Sequence, residues 1–183
     1  MGGIQLQSVK EAMEPWVVLM TPEQEYKQLY ERMAQLCEEQ GWGDPFSYAR
    51  SKEILAAIVL GHKVADKFSG ADAFDALGNP VEYKSTTGKH CKGSYTGISV
   101  QSSWREQEKY LFEEKLAKYP KHCYNRIEDG KLVESWEMSG QNVYNILTPK
   151  LKDKFPTVLS KKDPRLSANI TWSEIKRYGK KIF

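Results

Sequence analysis

Four charged residues lie close together in the middle of the chain, on either side of a predicted turn at residues 77–80. Asp72 and Asp75 precede this turn, and Glu82 and Lys84 follow it. Side chains alternate between the two faces of a β-strand, so Glu82 and Lys84 are expected to point the same way. The sequence therefore predicts a carboxylate beside an ammonium group, with a second carboxylate supplied from before the turn.

Two carboxylates and one lysine form a set that suits the hydrolysis of a phosphodiester. Mg²⁺ takes oxygen ligands, and proteins usually hold it with one or two carboxylates together with oxygens of a phosphate substrate. A bound ion polarises the phosphorus centre and acidifies water. A lysine orients or deprotonates that water, or it neutralises charge that grows on the phosphate. Together these groups must lower the barrier by roughly 15–20 kcal/mol.

The partner of Glu82 depends on how tightly the chain turns. A two-residue turn pairs Asp75 with Glu82. A three-residue turn instead puts Phe74 opposite Glu82 and Asp72 opposite Lys84, on the shared face. The sequence agrees with both registers, so either aspartate is the expected second carboxylate.

Two helices are predicted before this hairpin. Thr21-Pro22 and Asp44-Pro45 are helix starts, because Thr and Asp are good N-caps and Pro suits the first turn. The first helix is expected to end at Gly41 and the second at Gly61. Because residues 54–60 are apolar nearly all round, the second helix is expected to be largely buried.

The remaining elements predict the fold class. Strands and helices are expected in the order strand 63–68, hairpin 71–76 and 81–86, strand 97–100, helix 103–119, hairpin 123–127 and 131–136, helix 141–148 ended by Pro149, and a brief helix 171–178. This order predicts an α/β (α+β) fold with a mixed central sheet flanked by helices. One domain is expected over residues 1–183, with a helical N-terminal extension (1–44), a catalytic core (45–147) and a basic C-terminal segment (148–183).

Asp72, nine intervening residues and Glu82-Tyr83-Lys84 resemble the active-site signature of the PD-(D/E)XK nuclease superfamily. That superfamily includes type II restriction endonucleases, homing endonucleases and Holliday-junction resolvases. Ala71 stands where a proline is often found. The family fold is a helix, a three-stranded meander that carries the site, a helix and a further strand. The resemblance covers about residues 45–120 and implies a restriction-endonuclease-like core.

The resemblance also implies a role for each residue of the motif. Asp72 and Glu82 would ligate Mg²⁺, or Mn²⁺ as a substitute, with help from the backbone carbonyl of Tyr83. Lys84 would act on the attacking water. These implied roles make Asp72, Glu82 and Lys84 the expected catalytic residues.

Glu53 is a further catalytic candidate, because many members of the superfamily add a glutamate from the preceding helix. Ala57 and Leu60 fall on the same helix face as Glu53. A carboxylate that faces buried surface needs a cation or a hydrogen-bond donor as its partner. The alternative is an ion pair with Lys52 or Arg50 in solvent.

Charge is distributed unevenly along the chain. Residues 1–44 hold three Lys or Arg and eight Asp or Glu (net −5), residues 45–149 hold fourteen and thirteen (net +1), and residues 150–183 hold ten and three (net +7). A basic segment on a near-neutral body indicates a polyanionic partner, and a solvated lysine-rich tail is the alternative. The resemblance implies double-stranded DNA as this partner and a homodimer that cuts both strands. The acidic first helix is then a dimer contact or a regulatory cover.

Other classes of function have less support from the sequence. Three widely spaced cysteines indicate a reducing, cytoplasmic location. The sequence contains no run of about 18 apolar residues, so no membrane-spanning helix is expected. The Gly-rich signatures of nucleotide-binding loops are missing from the sequence. His90-Cys91 and His122-Cys123 are an alternative zinc set, although their spacing is unlike that of zinc motifs.

The sequence therefore predicts a Mg²⁺-dependent endodeoxyribonuclease that is sequence-specific. A structure-specific or homing nuclease of the same superfamily is one alternative. A non-catalytic nucleic-acid-binding module, whose carboxylates are structural, is another.

Overall fold

A mixed six-stranded sheet forms the centre of the computed structural model, which describes residues 20–66 and 70–183. The strands in chain order are β1 (Lys63–Val64), β2 (Ala73–Phe74), β3 (Pro80–Thr86), β4 (Gly93–Ser99), β5 (Lys121–Glu128), β6 (Lys131–Ser139), β7 (Arg165–Ile170) and β8 (Lys180–Lys181). Six of them form the central sheet in the order β1-β2-β3-β5-β6-β8, and β4 pairs with β7 in a second sheet. Within the central sheet β3 and β5 run parallel, and the other neighbours are antiparallel.

Helices flank the central sheet, which confirms the predicted fold class. They are α1 (Pro22–Glu39), α2 (Arg50–Leu60), α3 (Trp104–Tyr110), α4 (Gly140–Val158) and α5 (Trp172–Tyr178). A π-helical turn over Leu111–Lys115 continues α3, and the Leu116 amide donates to the Leu111 carbonyl at 2.7 Å. Ser or Thr side chains cap α1, α3, α4 and α5, and α1 and α5 carry complete capping boxes.

Two hydrophobic clusters hold these elements together. The larger one joins α3, α4, α5 and the β4–β7 pair to one part of the central sheet, and Leu147, Leu151 and Leu166 are fully buried in it. The smaller cluster lies under α2, where Ala57 and Val81 are fully buried. It packs α2 against the strands that carry the candidate site, so this helix fixes where those strands lie.

The second helix differs from its prediction. It begins at Arg50 rather than Pro45, and only Ile54, Ala56 and Ala57 are buried. Ile58 and Val59 are 59% and 40% exposed, so the expectation of a largely buried helix is wrong. The sheet covers one side of α2 and leaves the other side open. The helix does end as predicted, with Gly61 in the left-handed region at φ 68°.

Helix α4 also departs from its prediction, because it continues through Pro149 and Pro156 to Val158. A proline inside a helix removes one backbone hydrogen bond and crowds the preceding turn. Leu151, Phe155 and Val158 follow Pro149 and are buried in the larger cluster. The free energy gained by burying these side chains offsets the destabilisation of the helix by the prolines. Local sequence rules cannot predict this burial.

Candidate active site

The register between β2 and β3 decides which aspartate lies beside Glu82. Phe74 pairs with Pro80 and Ala73 with Val81, so the turn spans residues 75–79 and is longer than either predicted turn. Both predicted registers are therefore wrong. The observed register brings Asp72 next to β3, where its amide donates to the Val81 carbonyl at 3.1 Å. The Tyr83 amide in turn donates to Asp72 Oδ2 at 2.6 Å.

Asp75 organises the turn instead of joining the site. Its Oδ1 accepts the amides of Leu77 and Asn79 at 2.9 Å each, which is a common use of aspartate at a turn. Its Oδ2 lies 2.9 Å from Lys121 Nζ. Lys121 and these backbone donors lower the pKa of Asp75. Both carboxylate oxygens of Asp75 therefore stabilise the turn. Asp72 is the aspartate that lies beside the Glu82-Tyr83-Lys84 motif.

Glu82 and Lys84 lie together as their spacing predicts. Lys84 Nζ forms an ion pair with Glu82 Oε1 and also lies 3.3 Å from the Tyr83 carbonyl oxygen. The side chains of Lys84 and Glu82 are 20% and 21% exposed, so both remain open to a ligand. The ammonium group, one carboxylate and a main-chain carbonyl thus meet at one edge of the β2–β3 hairpin.

Like charges accumulate around Asp72. Burial, together with the nearby carboxylates of Glu82 and Glu53, raises the pKa of Asp72 to about 7 against the opposing effects of the Tyr83 amide and Lys84. Burial and like charge both disfavour the ionised form of a carboxylic acid. Among the described residues, Lys84 pairs with Glu82 and Arg50 pairs with Glu53, so the site has one more carboxylate than paired cations.

Glu53 reaches the same site from the first turn of α2. Its Oε2 lies 3.2 Å from Arg50 Nη1, and the two side chains are only 18% and 13% exposed. Arg50 also donates to the carbonyl of Trp42 at 2.7 Å and to the carbonyl of Ala65. The ion pair that the sequence offered as an alternative is thus present, but it lies at the site and not in solvent.

A cavity of about 340 Å³ opens beside these carboxylates. Its lining includes Trp42, Tyr48, Arg50, Glu53, Asp66 and Asp72. Tyr48 is fully exposed and has a φ of 49°, which is unusual for a bulky residue. The cavity gives a ligand access to Asp72 and Glu53 from the side of α2.

The donor set can be compared with the needs of Mg²⁺. Within residues 20–66 and 70–183, no three His, Cys, Asp or Glu side chains are already grouped as a metal cage. The available donors are still the hard oxygens that Mg²⁺ prefers, namely the carboxylates of Asp72 and Glu82 and the carbonyl of Tyr83. A divalent cation would also relieve the repulsion that raises the pKa of Asp72. In its chemistry, the site fits such an ion.

The histidines and cysteines considered for zinc have separate surroundings. His122 Nε2 lies 2.8 Å from the Leu116 carbonyl, and its Nδ1 lies 2.9 Å from the Tyr95 hydroxyl. His90 stacks on Trp172, Cys91 Sγ lies 3.9 Å from a carboxylate oxygen of Glu134, and Cys123 is buried in the smaller cluster. These four side chains form no common site.

Sequence reasoning missed His122 and Tyr95 as neighbours of the motif. In the parallel register of β3 and β5, Glu82 pairs with His122 and Lys84 pairs with Tyr124. Tyr95, from β4, lies over these residues, with Lys84 Nζ 5.0 Å from its ring centroid. Only the pairing of β3 with β5 reveals this, and no local pattern in the sequence signals it.

The basic C-terminal segment is part of the fold and not a solvated tail. Lys150 forms an ion pair with Glu174 at 2.6 Å, and Lys154 donates to the Ser167 carbonyl at 2.7 Å. Strand β7 joins the second sheet, and β8 extends the edge of the central sheet. Several of its basic side chains remain exposed, namely Lys152, Lys161, Lys162, Lys176, Arg177, Lys180 and Lys181.

Comparison with known proteins assigns this chain to no family. A scan against models of protein families gives no match, and a search of curated proteins also gives none. In the part of the chain that the structure describes, no helix has both the length and the apolar character needed to cross a membrane.

Asp72→Asn is expected to stabilise the metal-free protein at pH 8. The folded-state pKa of Asp72, about 7, lies above its ordinary value of 3.8, so this group costs stability that grows from about pH 4 to pH 7 and is complete above pH 7. That cost disappears below about pH 4, where the group is protonated in both states. One pKa unit corresponds to about 1.4 kcal/mol, so the rise of this pKa from 3.8 to about 7 predicts a gain of up to about 4 kcal/mol at pH 8 and none at pH 4.

Urea unfolding at both pH values measures this difference. Asp129→Asn is the matched control, because Asp129 is exposed in the β5–β6 turn and should give no gain at either pH. An Asp72→Asn variant that is no more stable than the wild type at pH 8 would contradict the assigned electrostatics.

Proposed function

We propose that this protein is a Mg²⁺-dependent endodeoxyribonuclease of the PD-(D/E)XK type, restriction-endonuclease-like and sequence-specific. The observation that carries the proposal is the grouping of Asp72, which directly precedes β2 and bonds to β3, with Glu82 and Lys84 of β3. The element order supports it as well. Helix α2 precedes the antiparallel β1–β3 meander, and α3 precedes β5, which runs parallel to β3.

Each residue has a role that its position favours. Asp72, Glu82 and the Tyr83 carbonyl would hold the ion, with Mn²⁺ as a substitute. When bound, Mg²⁺ supplies polarisation of the phosphate and acidification of water. Lys84 presents a partly exposed ammonium group at the edge of these ligands, where it can hold an attacking water and balance charge on the phosphate.

Glu53 would complete the site from α2. Its carboxylate adds to the negative potential at Asp72, and its ion pair with Arg50 holds the side chain in place. Because Arg50 also binds two main-chain carbonyls, the Glu53 side chain is held on a rigid support. A fixed carboxylate at this position can orient a water molecule of the hydrated ion or add a ligand to it.

Double-stranded DNA is the proposed substrate. The exposed lysines and arginines of α4, α5, β8 and the loop before β7 offer contacts for a phosphate backbone. Base readout would come from this basic segment or from the loops after residue 120. A junction resolvase or homing nuclease is the alternative within the superfamily.

A non-catalytic nucleic-acid-binding module is the second candidate function. The Lys84–Glu82 ion pair favours it, because a structural ion pair needs no ion and no substrate. The surplus of negative charge at Asp72 argues against it, since a purely structural site has no reason to keep buried like charges together.

We further propose that the enzyme is a cytoplasmic homodimer. One site per chain serves one DNA strand, so a double-strand cut needs two copies. Helix α1 offers a contact surface, because Tyr26, Leu29, Met33 and Leu36 are spaced along one face and are 38–69% exposed. Cys37, Cys91 and Cys123 are free, which supports a reducing compartment.

The purified protein is expected to cut plasmid DNA when Mg²⁺ is present and to lose this activity in EDTA. Lys84→Ala, Glu82→Gln and Asp72→Asn should each lower the cleavage rate at least about 100-fold, because each removes a group that acts on the reacting phosphate. Asp129→Asn should cut at the wild-type rate. Gel analysis of supercoiled, nicked and linear plasmid measures these rates.

Cleavage that survives both EDTA and Lys84→Ala would contradict the proposed chemistry. DNA binding without cleavage at any Mg²⁺ or Mn²⁺ concentration would favour the binding module. A panel of duplex, branched and long-site substrates separates restriction-like activity from resolvase or homing activity by which substrate is cut fastest.

The double variant Leu29→Glu/Met33→Glu is expected to convert the dimer into a monomer, because it places charges in the apolar face of α1. Gln28→Glu/Gln35→Glu adds the same charge to other exposed positions of the helix and should stay dimeric. Light scattering after size exclusion measures both masses. A wild-type monomer, or a dimer that tolerates the first pair of substitutions, would contradict this interface.

A further inference from the structure

A buried chain of hydrogen bonds lies directly behind the Glu82–Lys84 pair. The Tyr95 hydroxyl lies 2.9 Å from His122 Nδ1 and 3.0 Å from the Tyr124 hydroxyl. His122 Nε2 continues the chain to the Leu116 carbonyl at 2.8 Å. Tyr95 is only 6% exposed, and His122 and Tyr124 are fully buried. These polar groups occupy the layer between the motif and the larger hydrophobic cluster.

The direction of each hydrogen bond follows from the groups involved. A carbonyl only accepts, so His122 Nε2 carries a proton. Burial lowers the pKa of His122 to about 4, so the ring is neutral and its Nδ1 accepts from the Tyr95 hydroxyl. Tyr95 must then accept from the Tyr124 hydroxyl. Every member of the chain has a partner, and the Tyr95 ring is held at its hydroxyl from two sides.

Backbone features bring this chain to the site. The π-helical turn ends at Leu116, whose carbonyl receives His122 Nε2. Gly93 lets β4 approach closely, because a Cβ atom there would overlap the ring of Tyr124. A π-helical turn is rare and often occurs at functional sites. Both features position the Tyr95 side chain over the paired residues of β3 and β5.

The Tyr95 ring is also in contact with the lysine of the motif. Lys84 Nζ lies 5.0 Å from the Tyr95 ring centroid, within the range of a cation–π interaction. The same ammonium group contacts Glu82 and the Tyr83 carbonyl. A lysine has four rotatable side-chain bonds, so it needs several contacts to present its charge at one place.

We propose that Tyr95 is a positioning residue for Lys84, held in place by His122 and Tyr124. Its ring keeps the ammonium group at the edge of the β2–β3 hairpin, next to the proposed ion ligands. Only the consequence for cleavage rests on the proposed function. The placement of Lys84 by the ring stands on the contacts alone and can be measured without any substrate.

The geometric test is NMR of protein labelled with ¹³C-lysine. An aromatic ring shifts nearby protons upfield, so the Lys84 Hε signal should lie upfield of the signals of lysines that face no ring, with Lys84→Arg giving the assignment. The shift should persist in Tyr95→Phe, which keeps the ring, and disappear in Tyr95→Leu. Phe155→Leu is the matched control, because Phe155 is as buried as Tyr95 (6% exposed each) but takes no part in the hydrogen-bond chain.

The kinetic test uses the same variants in plasmid cleavage with Mg²⁺. We expect Tyr95→Leu to lower kcat about 10- to 100-fold with KM within about threefold, since misplacing a catalytic group by about 1 Å has effects of this size. Tyr95→Phe and Phe155→Leu should stay within about threefold of the wild type, with rates corrected for the folded fraction measured by circular dichroism.

An unshifted Lys84 signal in the wild type, or the same shift in Tyr95→Leu, would overturn the positioning role. Equal losses of kcat in Tyr95→Leu and Phe155→Leu would also overturn it, because they would show a general effect on the core. An upfield Lys84 signal in a protein that cuts no DNA would refute the proposed function and leave the positioning role standing.

Discussion

The repulsion among the carboxylates at the β2–β3 hairpin is the constraint on which the rest of the structure depends. Asp72 lies directly before β2 and Glu82 lies on the adjacent strand β3, and Glu53 approaches them from α2. Burial and mutual repulsion raise the pKa of Asp72 to about 7. Such an arrangement costs stability in the folded state, so the surrounding structure must hold it in place. Each neighbouring element contributes to that support.

The support consists of groups that are fully used by the fold. Asp75 and Lys121 fix the turn between the two strands, and Arg50 ties the start of α2 to the carbonyls of Trp42 and Ala65. On the other face, the His122–Tyr95–Tyr124 chain lies behind the motif. These residues need no ligand to satisfy their own hydrogen bonds. Lys84 and Arg50 pair with Glu82 and Glu53, so among the described residues the carboxylate of this site left without an ion pair is Asp72, which lines the opening.

Local rules were sufficient for part of this architecture. The Asp129-Gly130 turn between β5 and β6, the capping boxes of α1 and α5 and the shared side of Glu82 and Lys84 all follow from residue types and spacing. These features depend on neighbours in sequence, where propensity and side-chain alternation decide the outcome. The mixed sheet with flanking helices could be predicted from the order of elements for the same reason.

The rest depends on contacts between residues far apart in sequence. The choice between Asp72 and Asp75 was open because Lys121, on a distant strand, completes the partners that hold Asp75 in the turn. Helix α4 passes through two prolines because its later residues are buried in the core. Strand β7 was not predicted, and it is stabilised by pairing with β4. His122 and Tyr95 meet the motif only through the parallel pairing of β3 with β5.

The most direct test of the central claim is a crystal structure of the protein soaked in Mn²⁺, with the ion located by anomalous scattering. We expect one ion bound between Asp72 and Glu82, with carboxylate oxygens of both at about 2.0–2.3 Å, typical of small divalent cations. An ion held by Asp75, or no anomalous peak at the hairpin under saturating Mn²⁺, would show that these two carboxylates do not form a metal site.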